Sequence, residues 1–245
     1  DSTSTVPTVS SSPATTGPTA STALCPRPTR VIDSLALVDL YNSTNGFAWC
    51  GMSVWVLFDP VCTWDRVTID ADGYVTHLNL GNSCLVGTLP NSLGNMERMV
   101  DFKVDNNDLT SSLPSSMGNW SDLQVLFVDN NAFNGSIPNS FGNLTILISF
   151  FLDNNNFTGP IPGDFVNLVN LQRFEMFVNK IDSLPDLSSL TLLANRFRGE
   201  ENALTFDDIL PNLGTAMGDF YHPQCDICPY SLVNISTGDA YAIDL

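Results

Sequence analysis

Basic residues are scarce in this chain. Among its 245 residues, 9 are Lys or Arg and 26 are Asp or Glu, which gives a formal net charge of −17. Nucleic-acid binding needs clustered Lys and Arg that neutralise phosphates, and docking on anionic lipid needs a basic patch. Lys103 and Lys180 are the only lysines. The composition therefore argues against a nucleic-acid partner and against attachment to a membrane surface by charge.

The chain also lacks long apolar runs and the motifs of common enzymes. It contains no apolar run of about 18 residues, the length that a membrane-spanning helix requires. Its two histidines, His77 and His222, form no zinc-binding motif, and no nucleophile elbow or phosphate-binding loop is present. We therefore expect a protein that is not an enzyme and that needs no metal and no cofactor.

The cysteine pattern predicts disulfides. Six cysteines are present, at Cys25, Cys50, Cys62, Cys84, Cys225 and Cys228. The sequence does not decide how six cysteines pair. The C-D-I-C motif at the last two has only His222 nearby, which falls short of the four ligands of a structural zinc site. An even number of cysteines is typical of proteins that fold in an oxidising compartment.

Glycosylation motifs indicate the same compartment. N-x-S/T acceptor sites for N-glycosylation occur at Asn42, Asn119, Asn134, Asn143, Asn156 and Asn234. Combined with the even cysteine count and the scarcity of lysine, they predict a secreted, extracellular glycoprotein.

The N-terminal segment has the composition of a stalk. Residues 1–30 contain 6 Ser, 8 Thr and 5 Pro. Segments rich in Ser, Thr and Pro are typical of O-glycosylated stalks, because few large apolar side chains are available to form a core. The candidate O-glycosylation sites are Thr3, Thr5, Thr8, Thr15, Thr16 and Thr19.

A 24-residue period dominates the middle of the chain. Four units begin at Val75, Met99, Leu123 and Leu147 and share the pattern L-x-x-L-x-L-x-x-N-x-L-x-G-x-I-P-x-x-L-G-x-L. A fifth begins at Leu171 and is predicted to be cut short after Leu184-Pro185. A sixth is predicted to follow at a shorter spacing, with Leu187, Leu190, Leu192, Asn195 and Phe197.

The repeated pattern resembles the plant-type leucine-rich repeat. This resemblance implies an α/β solenoid, a right-handed superhelix with a parallel concave β-sheet. The repeated asparagines at Asn107, Asn131, Asn155, Asn179 and Asn195 are expected to form a buried ladder that satisfies backbone groups of adjacent turns, with Ser83 in the first unit.

The flanking segments resemble the caps of such proteins. Residues 31–74 are similar to a helical N-terminal cap, with a helix at about Ile32–Tyr41 that starts at Asp33 or Ser34 and a core of Trp49, Trp55 and Trp64. The resemblance implies a Cys50–Cys62 bridge there. At the other end, residues 204–213 resemble a closing helix, and Cys225–Cys228 is expected to pin the C-terminal cap. The predicted organisation is a stalk at 1–30, a cap at 31–74, repeats at 75–199, and a C-terminal cap and tail at 200–245.

Outward strand positions are expected to line the concave face in three columns. The first contains His77, Asp101, Val125, Ser149, Arg173 and Ser189, the second Asn79, Lys103, Phe127, Phe151, Glu175 and Thr191, and the third Gly81, Asp105, Asp129, Asp153, Phe177 and Leu193. Exposed aromatic side chains beside acceptors are typical of binding surfaces. The candidate partner-binding residues are Phe127, Phe151, Phe177, Asp105, Asp129, Asp153, Lys103 and Arg173. The alternative interpretation of the Asp column is that D-N-N is simply the turn sequence of the repeat.

Two functions are compatible with these features. The first is non-catalytic recognition of a protein or carbohydrate ligand through the concave face. The second is a structural subunit of a self-assembling extracellular filament or cell-wall layer, in which the N-terminal stalk contacts a neighbouring copy of the chain.

Overall fold

The structure, a computed structural model, describes residues 27–53, 55, 59–193, 197–199 and 201–205. These ranges contain one α-helix, α1 (Val31–Ser43), and the strands β1 (Val67–Ile69), β2 (Val75–Asn79), β3 (Val86–Gly87), β4 (Asp101–Lys103), β5 (Asp108–Ser111), β6 (Val125–Phe127), β7 (Ala132–Gly135), β8 (Ser149–Phe151), β9 (Asn156–Pro160), β10 (Arg173–Glu175), β11 (Lys180–Ser183) and β12 (Phe197–Arg198). The proposed O-glycosylation sites, Cys25, Cys225, Cys228 and Asn234 lie outside the described residues.

Each repeat contributes one strand to a concave sheet. The sheet has seven strands in the order β1, β2, β4, β6, β8, β10, β12. All neighbours are parallel except β1, which runs antiparallel to β2 at the N-terminal edge. Phe102, Phe150 and Phe174, at the centres of their strands, are fully buried. The predicted parallel concave sheet is thereby confirmed.

The return path of each repeat forms the convex side. Strands β3, β5, β7, β9 and β11 make a second sheet of five strands, and the segments Asn91–Asn95, Ser115–Asn119, Asn139–Asn143 and Gly163–Asn167 are 3-10 helices. Successive 3-10 helices approach closely. As a result, a Cβ at Gly118 would lie 2.5 Å from Ser140 of the next helix. The glycine in this turn is therefore required by packing between repeats.

The asparagine ladder is present. Asn155 shows the pattern: its Oδ1 accepts from the Phe133 N–H at 2.9 Å, and its Nδ2 donates to the Val128 carbonyl of the preceding repeat at 3.0 Å. The same two bonds recur, one repeat apart, at Asn107, Asn131 and Asn179. The ladder joins adjacent turns through groups that would otherwise be buried without partners.

Arg66 closes the N-terminal end of this ladder. Its guanidinium donates to the carbonyls of Gly81 and Gly51, each at 2.8 Å, and to Ser83 Oγ at 2.7 Å. Ser83 occupies the ladder position of the first repeat and is too short to reach the preceding turn. The arginine of the cap therefore supplies the donors that an asparagine supplies elsewhere.

The N-terminal cap has the predicted tryptophan core. Trp49, Trp55 and Trp64 are buried, and the Trp55 ring lies 4.8 Å from each of the other two ring centroids. The predicted helix start is wrong, because Arg30 rather than Asp33 or Ser34 occupies the N-cap position. Asp33 is fully buried instead, and its Oδ2 accepts from the Val75 N–H at 2.8 Å. Its carboxylate therefore ties α1 to the first concave strand of the repeats.

The predicted Cys50–Cys62 bridge is wrong. Cys50 is bonded to Cys84, with Cα atoms 5.5 Å apart, and Cys62 forms a separate disulfide. The Cys50 N–H donates to the Ser83 carbonyl at 3.0 Å, which places Cys50 and Cys84 side by side. The bridge therefore joins the cap to the first repeat rather than closing a loop within the cap.

The sixth repeat follows a different register from the predicted one. Phe197 pairs with Phe174, so β12 follows β10 at nearly the full repeat length, and the fifth repeat is almost complete. The ladder member of this repeat is Asn202, whose Oδ1 accepts from the Ile181 N–H at 3.0 Å, whereas Asn195 lies outside the described residues. Thr191–Leu193 is a 3-10 helix, so Ser189, Thr191 and Leu193 are not on the concave sheet. The prediction was wrong because Leu187, Leu190 and Leu192, which lie in the return path, have the spacing of a strand segment.

Candidate functional site on the concave face

A line of side chains runs across the concave sheet at the carboxyl ends of its strands. Lys103, Phe127, Phe151, Glu175 and Arg198 are register partners on β4, β6, β8, β10 and β12. We call these five residues the central lane. Its members point away from the core because they alternate with the buried residues of the same strands.

Both faces of the two phenylalanine rings in the central lane are covered. The rings of Phe127 and Phe151 stack with centroids 4.3 Å apart and planes 4° apart. Lys103 Nζ lies 5.2 Å from the Phe127 centroid, and Arg173 Cζ lies 4.5 Å from the Phe151 centroid. Because β4 and β10 flank the two rings on opposite sides, the cations cover the outer faces. The rings are half-buried and meet the solvent with their edges.

Ion pairs hold the cations of this surface in place. Lys103 Nζ lies 2.7 Å from Asp101 Oδ2. Glu175 forms ion pairs with two arginines. Its Oε1 lies 3.7 Å from Arg173 Nη2, and its Oε2 lies 3.5 Å from Arg198 Nη1. Exposed ion pairs are individually weak, about 0–1 kcal/mol, but the shared Glu175 carboxylate favours an arrangement in which both guanidinium groups lie next to it. The surface is thus arranged before any ligand binds.

An acidic column runs beside the central lane. Asp105, Asp129 and Asp153 each accept a hydrogen bond from the side-chain amide of the asparagine that follows, at 2.8, 2.7 and 2.7 Å. Burial raises the pKa of Asp153 to about 6, and the neighbouring Asp129 adds to the rise. Burial also raises the pKa of Asp129, with Asp105 contributing. The shared Asp–Asn bond supports the turn interpretation, and the raised pKa values reflect mainly the burial of Asp129 and Asp153, to which the neighbouring carboxylates add.

The fifth repeat departs from the D-N-N turn of the three repeats before it. Phe177 replaces the aspartate and Val178 replaces the first asparagine. Val178 has φ 52°, the left-handed conformation that Asn130 and Asn154 adopt at the same position. Arg198 Cζ lies 4.0 Å from the centre of the Phe177 ring. This turn therefore carries apolar side chains where the others carry polar ones.

The structure brings most of the predicted binding residues onto one surface. Lys103, Phe127, Phe151 and Arg173 form one stacked row, and the three aspartates lie beside it. Sequence reasoning missed Arg198, because the sixth repeat was placed in the wrong register. The recurrence of an asparagine at Asn202, nearly one full repeat after Asn179, is the signal that identifies the correct register.

The predicted N-glycosylation sites lie away from this surface. Asn42, Asn119, Asn134, Asn143 and Asn156 are all exposed. Asn42 is in α1, Asn119 and Asn143 end 3-10 helices of the convex side, and Asn134 and Asn156 are in β7 and β9. None of these five is on the concave sheet.

Comparison with known sequences and structures identifies the architecture. The sequence model of the leucine-rich repeat family matches residues 74–96, 122–144 and 147–168. The ectodomain of the receptor kinase SOBIR1 from Arabidopsis thaliana superposes with a TM-score of 0.61 at 24% identity, covering 72% of this chain and 96% of that one. The fold is a leucine-rich repeat solenoid.

Two further solved structures from the same plant share this leucine-rich repeat fold. The BIR2 ectodomain has a TM-score of 0.58 at 24% identity, covering 74% of this chain and 96% of that one. The ectodomain of the receptor kinase HAESA, solved with a peptide hormone ligand, has a TM-score of 0.57 at 22% identity. That match covers 71% of this chain and 29% of HAESA. A search of functionally curated proteins finds no match.

The described ranges of this solenoid offer no group of His, Cys, Asp and Glu that could hold a metal ion. Within the same ranges no helix has the length and apolar character needed to cross a membrane. His77 is exposed, with Nδ1 2.9 Å from Thr76 Oγ1.

Proposed function

We propose that this chain is an extracellular, non-catalytic recognition module that binds an extended polypeptide along its concave face. The observation that carries the proposal is the central lane, a pre-arranged row of aromatic and charged side chains on an open sheet. Such rows supply the aromatic and arginine anchors on which protein recognition depends. The binding of a peptide hormone by the HAESA ectodomain, which has the same fold, supports this function.

The coverage of the rings favours a polypeptide over a carbohydrate. A sugar stacks its apolar face on an open aromatic face, and both faces of Phe127 and Phe151 are occupied by neighbours. The exposed ring edges and the flanking charges suit the amides and side chains of a peptide instead.

The positions of the sequons support the same surface. Glycans on the five exposed acceptors would cover the cap and the convex side and would leave the concave sheet open. We infer that the protein is secreted and N-glycosylated at these positions. Treatment of the secreted protein with peptide-N-glycosidase should lower its mass, and an unchanged mass contradicts this inference.

Selection from a displayed library of random linear peptides tests the proposed function. The full chain, produced in a secretory eukaryotic host, should enrich peptides whose binding is lost in Phe151→Ala. Phe47→Ala is the matched control, because Phe47 is 85% exposed on the cap and away from the concave sheet. Alanine is preferable to aspartate at residue 151, since a new carboxylate would also perturb the acidic column. Enriched peptides that bind Phe151→Ala as tightly as the parent would refute the concave site.

A further inference from the structure

We propose that Phe177 and Val178 determine the specificity of this concave site by receiving an apolar side chain of the bound polypeptide. We call these two residues the apolar corner. The proposal rests on the proposed function and names the chemistry of one contact within it.

The first observation is that Val178 stands where the fold favours asparagine. The residue before each ladder position adopts a left-handed conformation, with φ 52° at Asn82, 54° at Asn106 and 52° at Val178. Asparagine tolerates this region, whereas a β-branched side chain is a genuine outlier there. Four earlier repeats use asparagine, so the solenoid itself gains nothing from valine at residue 178.

The second observation is the exposure of the corner. Val178 is 36% exposed, so part of this residue remains accessible to a partner. Strained residues that the fold does not need are found at ligand contacts. The valine is therefore best explained by what it offers to a partner.

The third observation is the ring of Phe177. The Phe127 and Phe151 rings are each covered on two faces, whereas the Phe177 ring has one such contact in the described part of the chain, with Arg198. Phe177 lies in the turn next to that of Asp153, and its carbonyl accepts from the Asn154 N–H at 3.0 Å. Its ring therefore adds an apolar contact beyond the central lane, at the end of the peptide path.

The chemistry of the corner selects an apolar side chain as occupant. The Val178 methyl groups cannot bond to sugar hydroxyls, and the adjacent Asp153 is 5% exposed and already bonded to Asn154. The Arg198 guanidinium, tethered to Glu175, borders the corner and can donate hydrogen bonds to the backbone carbonyls of a peptide. An aliphatic or aromatic side chain flanked by peptide groups meets both requirements.

The test compares Val178→Asn with Val169→Asn. Val169 is 56% exposed in the loop that precedes β10, so the control introduces the same change away from the concave sheet. The probe is the set of library peptides whose binding is lost in Phe151→Ala, measured on the full chain. Val178→Asn should weaken these peptides at least tenfold and raise the melting temperature by about 2–4 °C, because it restores the favoured turn residue. Val169→Asn should change neither quantity.

Further results decide between the corner and the concave site as a whole. The apolar residues of the selected peptides should also be replaced one at a time. At one peptide position, the replacement should weaken binding to the parent chain but should not weaken binding to Val178→Asn any further. Peptides that depend on Phe151 but bind Val178→Asn at full strength overturn the apolar corner while the proposed function stands. Absence of any concave-face peptide overturns both proposals. A gain in stability without a loss in affinity also overturns the corner, because it leaves the valine with no role in binding.

Discussion

The asparagine ladder gives the sharpest prediction about stability. Asn155, at the centre of the ladder, is 8% exposed and forms four hydrogen bonds with backbone groups. We expect Asn155→Ala to destabilise the protein by about 3 kcal/mol. This is a large fraction of the roughly 5–15 kcal/mol by which proteins are typically stable.

The magnitude follows from the partners that remain. The Phe133 N–H loses its acceptor, and a buried donor without a partner costs about 1–3 kcal/mol. The carbonyls of Val128, Leu152 and Asp153, which accept from Asn155, each keep a second donor at 2.9–3.3 Å. Loss of these three bonds therefore adds only about 1–2 kcal/mol in total.

Urea unfolding monitored by tryptophan fluorescence measures the change. The control is Asn139→Ala, an exposed asparagine of the convex side, which should alter the free energy of unfolding by less than about 0.5 kcal/mol. Asn155→Asp is a second comparison. It keeps an acceptor for Phe133 but turns a carboxylate toward three carbonyl oxygens, so it should be at least as destabilising as alanine at pH 7.

Two results would refute this account of the ladder. One is a cost below about 1 kcal/mol for Asn155→Ala, since a single orphaned donor should already cost that much. The other is an Asn155→Asp variant as stable as the parent at pH 7, which would show that the Nδ2 donors contribute nothing.

Three further predictions concern the cap, the convex side and the acidic column. Arg66→Ala should lower the free energy of unfolding by about 2–3 kcal/mol, and Arg66→Lys should recover only part of it, because one ammonium cannot reach all three acceptors. Gly118→Ala should cost about 1–3 kcal/mol by overpacking, whereas Gly163→Ala, with nothing within 4 Å of the added Cβ, should be nearly neutral in thermal melts. The pKa of Asp153 is raised from 3.8 to about 6, so the folded state binds this proton more tightly than the unfolded state. Lowering the pH from 7 to 4 should therefore increase the contribution of this carboxyl group to stability by about 2 kcal/mol, and Asp153→Asn should remove that part of the pH dependence.

Much of the scaffold follows from the repeat period alone. Strand centres such as Phe102 and Phe150 and the ladder positions from Asn107 to Asn179 are fixed by the geometry of one turn of the solenoid. Because each turn must bury the same positions and satisfy the same backbone groups, the sequence repeats them. These predictions required no information about distant contacts.

The wrong predictions concern parts of the chain that the 24-residue repeat does not constrain. The fifth repeat is slightly shorter than its predecessors, and the leucines of its return path imitate a strand. The Cys50–Cys84 bridge and the contact of Asp33 with Val75 join the cap to the first repeat. Such contacts depend on how two different kinds of structure meet, which no internal repeat encodes.

The same distinction separates scaffold from site. A position that most repeats fill with one residue type is dictated by the fold, as the D-N-N turn and the ladder show. The central lane instead changes from Lys103 through two phenylalanines to Glu175 and Arg198, although all five positions have the same backbone environment. Since the backbone does not select these residues, selection for binding a particular ligand can set their identities. Departures from the repeat, rather than agreement with it, are therefore the positions at which to look for recognition.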